Sequence, residues 1–278
     1  MQKARKITGL LLALALVAAL VAIAGCSSSA PSTTTPATET PAAPAADLKL
    51  VAPGVLTVGS DTTFPPFESM NGSTAEGFDV DLIAAMADEM KLTSKFQTEI
   101  FDTLIPTLKA GGKFDIIASG MTIKAEREKE IDFSEPYFDS NQSVAMKTGG
   151  VYATPEDLKG KKVGVQSGTT GASWAAENLK PVGAKIVEFK DTAGSFAALQ
   201  AGNVDAVVND LPVTAEMVKD ASKGLAMIAQ IPTGEQYGFG VSKDNPALKT
   251  AINEALAKVK ANGKYAEIYK KWFGVEPQ

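Results

Sequence analysis

The chain has 278 residues, 45% of them apolar and 21% charged, and its 27 basic and 32 acidic side chains give a formal charge of −5. This is the composition of a globular protein with room for two lobes, and it offers no basic surface to nucleic acid. The lack of histidine excludes Ser-His-Asp and Cys-His catalysis and any His-ligated metal, and a single cysteine excludes an internal disulfide or a thiolate metal cluster, so neither metal nor cofactor is expected.

Residues 1–25 read as an export signal: Lys3, Arg5 and Lys6 precede an almost unbroken Leu, Ala, Val and Ile run from Leu10 to Ala24. The end of that run, Ile23-Ala24-Gly25-Cys26, resembles the bacterial lipoprotein lipobox. The resemblance implies a lipid on Cys26 and a mature chain held extracytoplasmically on the cell membrane. A membrane-spanning anchor is the other reading of the apolar run; the position of the only cysteine favours the lipobox. Residues 26–49 are rich in Ser, Thr, Pro and Ala, too poor in apolar surface to fold, and read as a linker that supplies reach.

Folded sequence begins near Leu50. Val55 to Gly59 is a predicted strand and Ser60 to Phe67 a loop. Asp79 is read as the N-cap of a helix whose apolar stripe is Val80, Ile83, Ala84, Ala87 and Met90, with Asp81 in its first turn. Phe96 to Ile100 is a predicted strand, Thr103 to Ala110 a helix and Phe114 to Ala118 a strand. A second alternation follows: strands at Val163 to Gln166, Lys185 to Phe189 and Val204 to Val208, helices at Thr170 to Leu179, Ala193 to Ala201 and Thr214 to Asp220. Alternating strand and helix means an α/β protein with mostly parallel sheets. Two helices close the chain. Asn245 caps the first, Pro246 occupies its first turn, and Gly263 ends it; the second carries Tyr265, Ile268, Tyr269 and Trp272 as a core stripe.

The two halves echo each other. Val58-Gly59-Ser60-Asp61-Thr62-Thr63 lines up with Val165-Gln166-Ser167-Gly168-Thr169-Thr170, and Ala110 to Gly120 lines up with Ala201 to Asp210. Ligands of open α/β sheets bind beyond the carboxyl ends of strands. Those ends here are Ser60 to Phe64, then Ser119, Gly120, Met121 and Thr122, then Gln166 to Thr170, then Asn209 and Asp210.

Gly120 lets a ligand approach the backbone, Thr122 offers a hydroxyl, and Arg127 can hold a carboxylate through two parallel hydrogen bonds. Read by itself, Arg127 equally suits a pair with Glu126 or Glu130. Asp210 offers a carboxylate to an ammonium group, or simply an N-cap before Leu211-Pro212. Opposed across a cleft, Arg127 and Asp210 suit a zwitterionic α-amino acid, whose burial requires both charges to be paired. Asp61 is a third charge at a strand end, and Phe64 and Phe101 can supply apolar walls.

Several motifs in order resemble the family 3 extracellular solute-binding proteins, the amino-acid-binding components of ABC importers. They are Gly77 to Leu82, Gly120 to Ile123 with Glu126-Arg127, Ile131 to Tyr137, Gly164 to Thr170 and Lys264 to Gly274, spanning Leu56 to Phe273. The resemblance implies a two-lobe periplasmic-binding-protein-like fold of type II. Lobe 1 would be 50–138 plus 238–278 and lobe 2 139–237, with hinge residues Tyr137, Asn141 and Tyr237. It implies that Arg127, with Thr122 and the backbone at Gly120 and Thr170, holds the ligand carboxylate. Asp210 would hold the α-ammonium, Phe64 and Phe101 would flank the side chain, and Asp61 would meet its polar or cationic end.

An aspartate at the Asp61 position is shared by relatives that bind glutamine and by relatives that bind cationic amino acids; Gln166 and Asn209 stand where a glutamine-binding relative has lysine and histidine, and Gln166 with Thr169-Thr170 resembles arginine- and lysine-binding relatives more. The expected ligand is a free cationic L-amino acid (arginine, lysine or histidine), with glutamine next, and the expected partner is a membrane ABC permease. The protein is expected to act as a monomer and not as an enzyme. A dehydratase on the same fold, similar to cyclohexadienyl dehydratase, is the alternative; it needs a cleft carboxylic acid and no ammonium partner, which Asp210 argues against. A fused signalling module is not expected, since the sequence ends at Gln278.

Overall fold

A computed structural model describes residues 48–277. The export signal, the lipidation position Cys26 and nearly all of the linker lie outside the described residues.

Strand β1 (Val55–Ser60) leads into a small antiparallel sheet of β2 (Thr63–Phe64), β3 (Glu68–Asn71) and β4 (Thr74–Glu76). Then come α1 (Phe78–Glu89), β5 (Thr93–Thr98), α2 (Phe101–Ala110), β6 (Ile116–Ile117), α3 (Ala125–Glu128) and β7 (Asp132–Phe133). β8 (Phe138–Lys147) opens the second half, followed by β9 (Lys162–Gln166), α4 (Thr170–Asn178), β10 (Lys185–Phe189), α5 (Thr192–Ala201), β11 (Ala206–Asp210), α6 (Leu211–Met217) and β12 (Leu225–Tyr237). The chain returns through β13 (Gly240–Val241) and finishes on α7 (Pro246–Ala261) and α8 (Lys264–Phe273).

The strands form two five-stranded sheets, ordered β5-β1-β6-β13-β7 and β10-β9-β11-β8-β12. The first three strands of each order run parallel, and the fourth runs antiparallel to the third. The echo between the halves is therefore a repeat of strand order. Successive side chains leave a strand on opposite faces, and both faces of both sheets are buried. On β6 Ile116 packs with Leu56, Val58 and the α7 stripe, while Ile117 packs with Leu104, Leu108 and Phe133. On β11 Val208 and Val207 separate in the same way.

The chain passes between the sheets at Ser134 to Tyr137 and again at Gly238-Phe239. Just beyond, β8 and β12 pair antiparallel, from Phe138 opposite Tyr237 to Lys147 opposite Leu225. Asn141 Oδ1 ties β8 to β12 by accepting the N–H groups of Thr233 and Gly234, each at 2.9 Å. The terminal helices close on the first sheet: Lys271 and Trp272 of α8 both donate to Asp81 of α1 at 2.6 Å. The stripe Tyr265, Ile268, Tyr269 and Trp272 packs on the lobe 1 core as expected.

Several boundaries differ from the sequence reading. The expected strand Phe96 to Ile100 is found at Thr93–Thr98, and only Ile116–Ile117 of Phe114 to Ala118 makes ladder bonds. Val204 to Val208 is displaced to Ala206–Asp210, and α6 begins directly after it instead of at Thr214. Asp79 is not the N-cap of α1. Gly77 takes that position at a φ of 146°, because the Asp79 carboxylate turns inward to Gly120 and Tyr137. The loop expected at 60–67 contains β2, and the long strands β8 and β12 had no counterpart in the sequence reading.

Candidate ligand-binding site

The site is built where strand ends of both sheets face each other. From the first sheet come Asp61, one residue past β1, and the turn Ser119 to Thr122 after β6. Arg127 enters from the short helix α3 and Phe101 from the start of α2. From the second sheet come Gln166 at the end of β9, Thr170 at the start of α4, and Asn209-Asp210 at the end of β11.

Arg127 is buried at 6% exposure. Its Nη1 donates to the Thr122 carbonyl at 2.8 Å, and its Nη2 crosses to the Gly168 carbonyl at 3.0 Å. Its Cζ lies 5.2 Å from the centroid of the Phe101 ring, within cation–π range. Two of five guanidinium donors are engaged, leaving the rest for an acceptor. Burial pulls the guanidinium down to about 10, opposed by the negative charges of Asp210 and Glu235. The alternative pairs with Glu126 and Glu130 do not form; Glu130 bonds Lys109 instead.

Asp210 is 4% exposed. It accepts Gln142 Nε2 at 2.5 Å and the Tyr237 hydroxyl, and its side chain caps no helix N–H although it stands at the N-cap of α6. Burial pushes its carboxyl up to about 7, helped by repulsion from Glu235 and opposed by Tyr237, Gln142 and Arg127. No ion pair within 4 Å involves Arg127 or Asp210 among the described residues.

Asp61, 4% exposed, accepts Gln166 Nε2 from the other sheet at 2.6 Å and Thr63 Oγ1 at 2.8 Å. Its carboxyl is raised, chiefly by burial. Gln166 is held from behind by Thr192, which donates to its Oε1 at 2.8 Å. Gly120 sits at a φ of 49°, and a Cβ there would lie 2.6 Å from the Phe64 ring. Only glycine suits that backbone and that contact.

Three expected contacts need correction. The Met121 side chain is 1% exposed and lies in the core with Leu104 and Leu108, because the strand-to-turn alternation points it away from the site. The Ser119 hydroxyl bonds Asp61 N–H at 3.0 Å and Glu68 at 3.1 Å, inside lobe 1. Thr169 is the N-cap of α4: its Oγ1 accepts Ala172 N–H at 3.1 Å and donates to the Gln166 carbonyl at 2.8 Å. Asn209 is buried with its Nδ2 unpartnered.

Two residues were missed. Glu235, on β12, accepts Thr122 Oγ1 at 2.8 Å, Thr170 Oγ1 at 2.7 Å and Gln142 Nε2 at 3.1 Å. It thus bonds a hydroxyl from each sheet at once. Gln142, on β8, joins Asp210, Thr170 and Glu235. The only signals in the sequence were positional: Glu235 stands two residues before the expected hinge residue Tyr237, and Gln142 directly after the expected hinge residue Asn141. No helix among the described residues is long and apolar enough to cross a membrane.

A family model described as bacterial extracellular solute-binding proteins, family 3, matches residues 56–275. A probable histidine-binding protein from Neisseria gonorrhoeae is 37% identical over 263 residues, covering 92% of this chain and 96% of its own length. An ancestral arginine-binding protein bound to arginine is similar in structure, with a TM-score of 0.76 at 41% identity, covering 79% of this chain and 98% of that one. An ancestral arginine-binding protein bound to glutamine gives a TM-score of 0.74 at 41% identity, covering 80% of this chain and 99% of that one. The two-lobe α/β fold expected from the sequence is the fold of these neighbours.

Proposed function

This chain belongs to the family 3 bacterial extracellular solute-binding proteins, and from that premise we propose that it binds a free L-amino acid between its lobes and delivers it to a membrane ABC permease. No chemistry is done on the ligand. The lobes run 50–138 plus 238–278 and 139–237, and Tyr137, Asn141 and Tyr237 lie where they hinge. Arg127, Thr122 and the backbone at Gly120 and Thr170 hold the ligand carboxylate. Asp210 holds the α-ammonium, Phe64 and Phe101 flank the side chain, and Asp61 with Gln166 meets its far end. Lipid on Cys26 and the linker 26–49 would tether the receptor outside the membrane.

The observation that carries this reading is the pair Arg127 and Asp210. Both are buried, each feels the other's charge, and neither has an ion-pair partner among the described residues. A zwitterion between them satisfies both. The local charge favours a cationic ligand: Arg127 feels Asp210 and Glu235, and the charged neighbour of Asp61 at the far end is another acid, Asp191. Arginine, lysine or histidine is therefore the preferred class, with glutamine second. The relatives compared above are named for histidine and arginine, and one is bound to glutamine.

A thermal-shift series across the amino acids tests the proposal, since a ligand at a hundredfold excess over its Kd adds roughly 2.7 kcal/mol to apparent stability. Cationic amino acids are expected to raise the midpoint most. Arg127→Ala is expected to abolish the shift while circular dichroism shows an intact fold; removing one partner of a buried pair costs about 3–5 kcal/mol, more than a hundredfold in Kd. A shift retained by Arg127→Ala contradicts the assignment. One observation favours the dehydratase reading: Asp210 is a cleft carboxyl held near 7. Turnover of arogenate or prephenate would establish it, and none is expected.

A further inference from the structure

Beneath the lobe 1 side of the site lies a second group of acids that the binding scheme does not use. Glu68, at the start of β3, and Asp79, in the first turn of α1, are both fully buried. Asp79 Oδ2 accepts the Gly120 N–H at 3.2 Å and the Tyr137 hydroxyl at 2.7 Å. Glu68 Oε1 accepts the Ser119 hydroxyl at 3.1 Å, and Ser119 Oγ accepts the Asp61 N–H at 3.0 Å. The two remaining oxygens, Glu68 Oε2 and Asp79 Oδ1, have no hydrogen-bond partner among the described residues. The two carboxyls are held by consecutive residues, Glu68 by Ser119 and Asp79 by Gly120, and the charge of Asp79 acts on Glu68.

Two facing carboxylates in a buried site repel, and nothing here neutralises them. The titratable groups around the pair are Asp61, Tyr137 and Tyr265, and none is a cation. One proton closes the account. Placed on Glu68 Oε2 and donated to Asp79 Oδ1, it gives every oxygen of the pair a partner.

We propose that Glu68 and Asp79 share one proton and act as the positioning pair that fixes Asp61, Ser119 and Gly120 for ligand binding. Burial agrees with the assignment: it raises both carboxyls above the usual carboxylate range, Asp79 to about 7, and the charge of Asp79 raises Glu68 in addition. Losing that proton leaves two buried negative charges side by side. The Ser119 and Gly120 contacts then loosen, and the site loses affinity. The positioning half rests on the amino-acid-binding reading; the shared proton does not.

Glu68→Gln separates the two. Glutamine keeps the layout, with Nε2 donating to Asp79 and Oε1 accepting Ser119, but it cannot ionise. Calorimetry with arginine as the probe, from neutral to alkaline pH, reads the positioning. The wild type is expected to lose affinity at about tenfold per pH unit once Glu68 deprotonates. Glu68→Gln is expected to match the wild type at neutral pH and to lack that fall; titration of arginine's own ammonium is common to both and cancels in the ratio. Infrared difference spectra between the ligand-free proteins read the proton directly. A protonated-carboxyl carbonyl band present in the wild type at neutral pH and missing from Glu68→Gln supports the proposal. The same alkaline fall in both proteins, or no difference band, overturns it. If arginine binds neither protein, the binding reading fails, and the infrared result still decides the proton.

Discussion

Asp61 reaches across to Gln166 while its own backbone N–H is held by Ser119, so its carboxylate is fixed in place and available to a ligand side chain. Asp61→Ala should therefore weaken cationic amino acids more than small neutral ones, by about 1–3 kcal/mol for a lost charged hydrogen bond; equal losses in calorimetry would remove Asp61 from specificity. Asp210 carries a pH dependence. Its carboxyl is raised from 3.8 to about 7 by burial first and by Glu235 second. An ammonium ligand needs it ionised, so binding below about pH 7 must expel a proton, and affinity should fall by about tenfold per unit as the pH drops. Removing the charge of Glu235 by Glu235→Gln lowers the Asp210 pKa, and the inflection should move to lower pH. An inflection that stays in place would show that Glu235 does not act on Asp210.

At the scale of elements, the start of α1 controls the floor of the site. Gly77 caps the helix at a φ of 146°, and a Cβ there would lie 2.0 Å from the Phe67 carbonyl oxygen. That neighbour is backbone and cannot step aside as a side chain could. Gly77→Ala should cost roughly 3 kcal/mol or more, seen as a lower denaturant midpoint, and should disturb Asp79 two residues on. A variant as stable as the wild type would mean that β3 and α1 move apart freely. The crossings are a second such element. β8 and β12 are registered through Ser140 opposite Glu235, with Asn141 clasping Thr233 and Gly234. That pairing sets Glu235 against Thr122 and Thr170, and Tyr237 against Asp210.

For the whole molecule, the cross-lobe contacts of Asp61 with Gln166 and of Arg127 with Gly168 are single hydrogen bonds. Each contributes about 1 kcal/mol net, so on the proposed reading a ligand held by both lobes would add substantially to closure. Ionisation also has a global effect. Asp79 and Asp210 both rise to about 7, and Glu68 is raised well above the usual carboxylate range. Between the ordinary carboxylate range and about pH 7 the folded state holds protons that the unfolded chain has released. These groups therefore stabilise fully below that window, and their contribution is lost as the pH rises through the folded values. The ligand-free protein should melt at a higher temperature near about pH 5 than near about pH 8 by calorimetry. A midpoint that climbs steadily across that range would show that the three acids are ionised in the fold.

Composition and motif order alone settled the α/β class, the two lobes, the terminal aromatic stripe and the Asp210 and Asp61 charges at strand ends. Those features are local: a period of apolar residues, a glycine at a turn, or a charge following a strand is written in neighbouring positions. Tertiary structure decided the rest. Glu235 becomes a cleft residue only because β12 pairs with β8, a long-range ladder with no local signal. Met121 leaves the site and Thr169 becomes a cap because each side chain's direction depends on where its strand ends. Glu68 and Asp79, eleven residues apart, become a proton-sharing pair only when β3 packs beside α1 and water is excluded from both. Burial and partner geometry are properties of the assembled fold, and they govern which acids in this protein are charged.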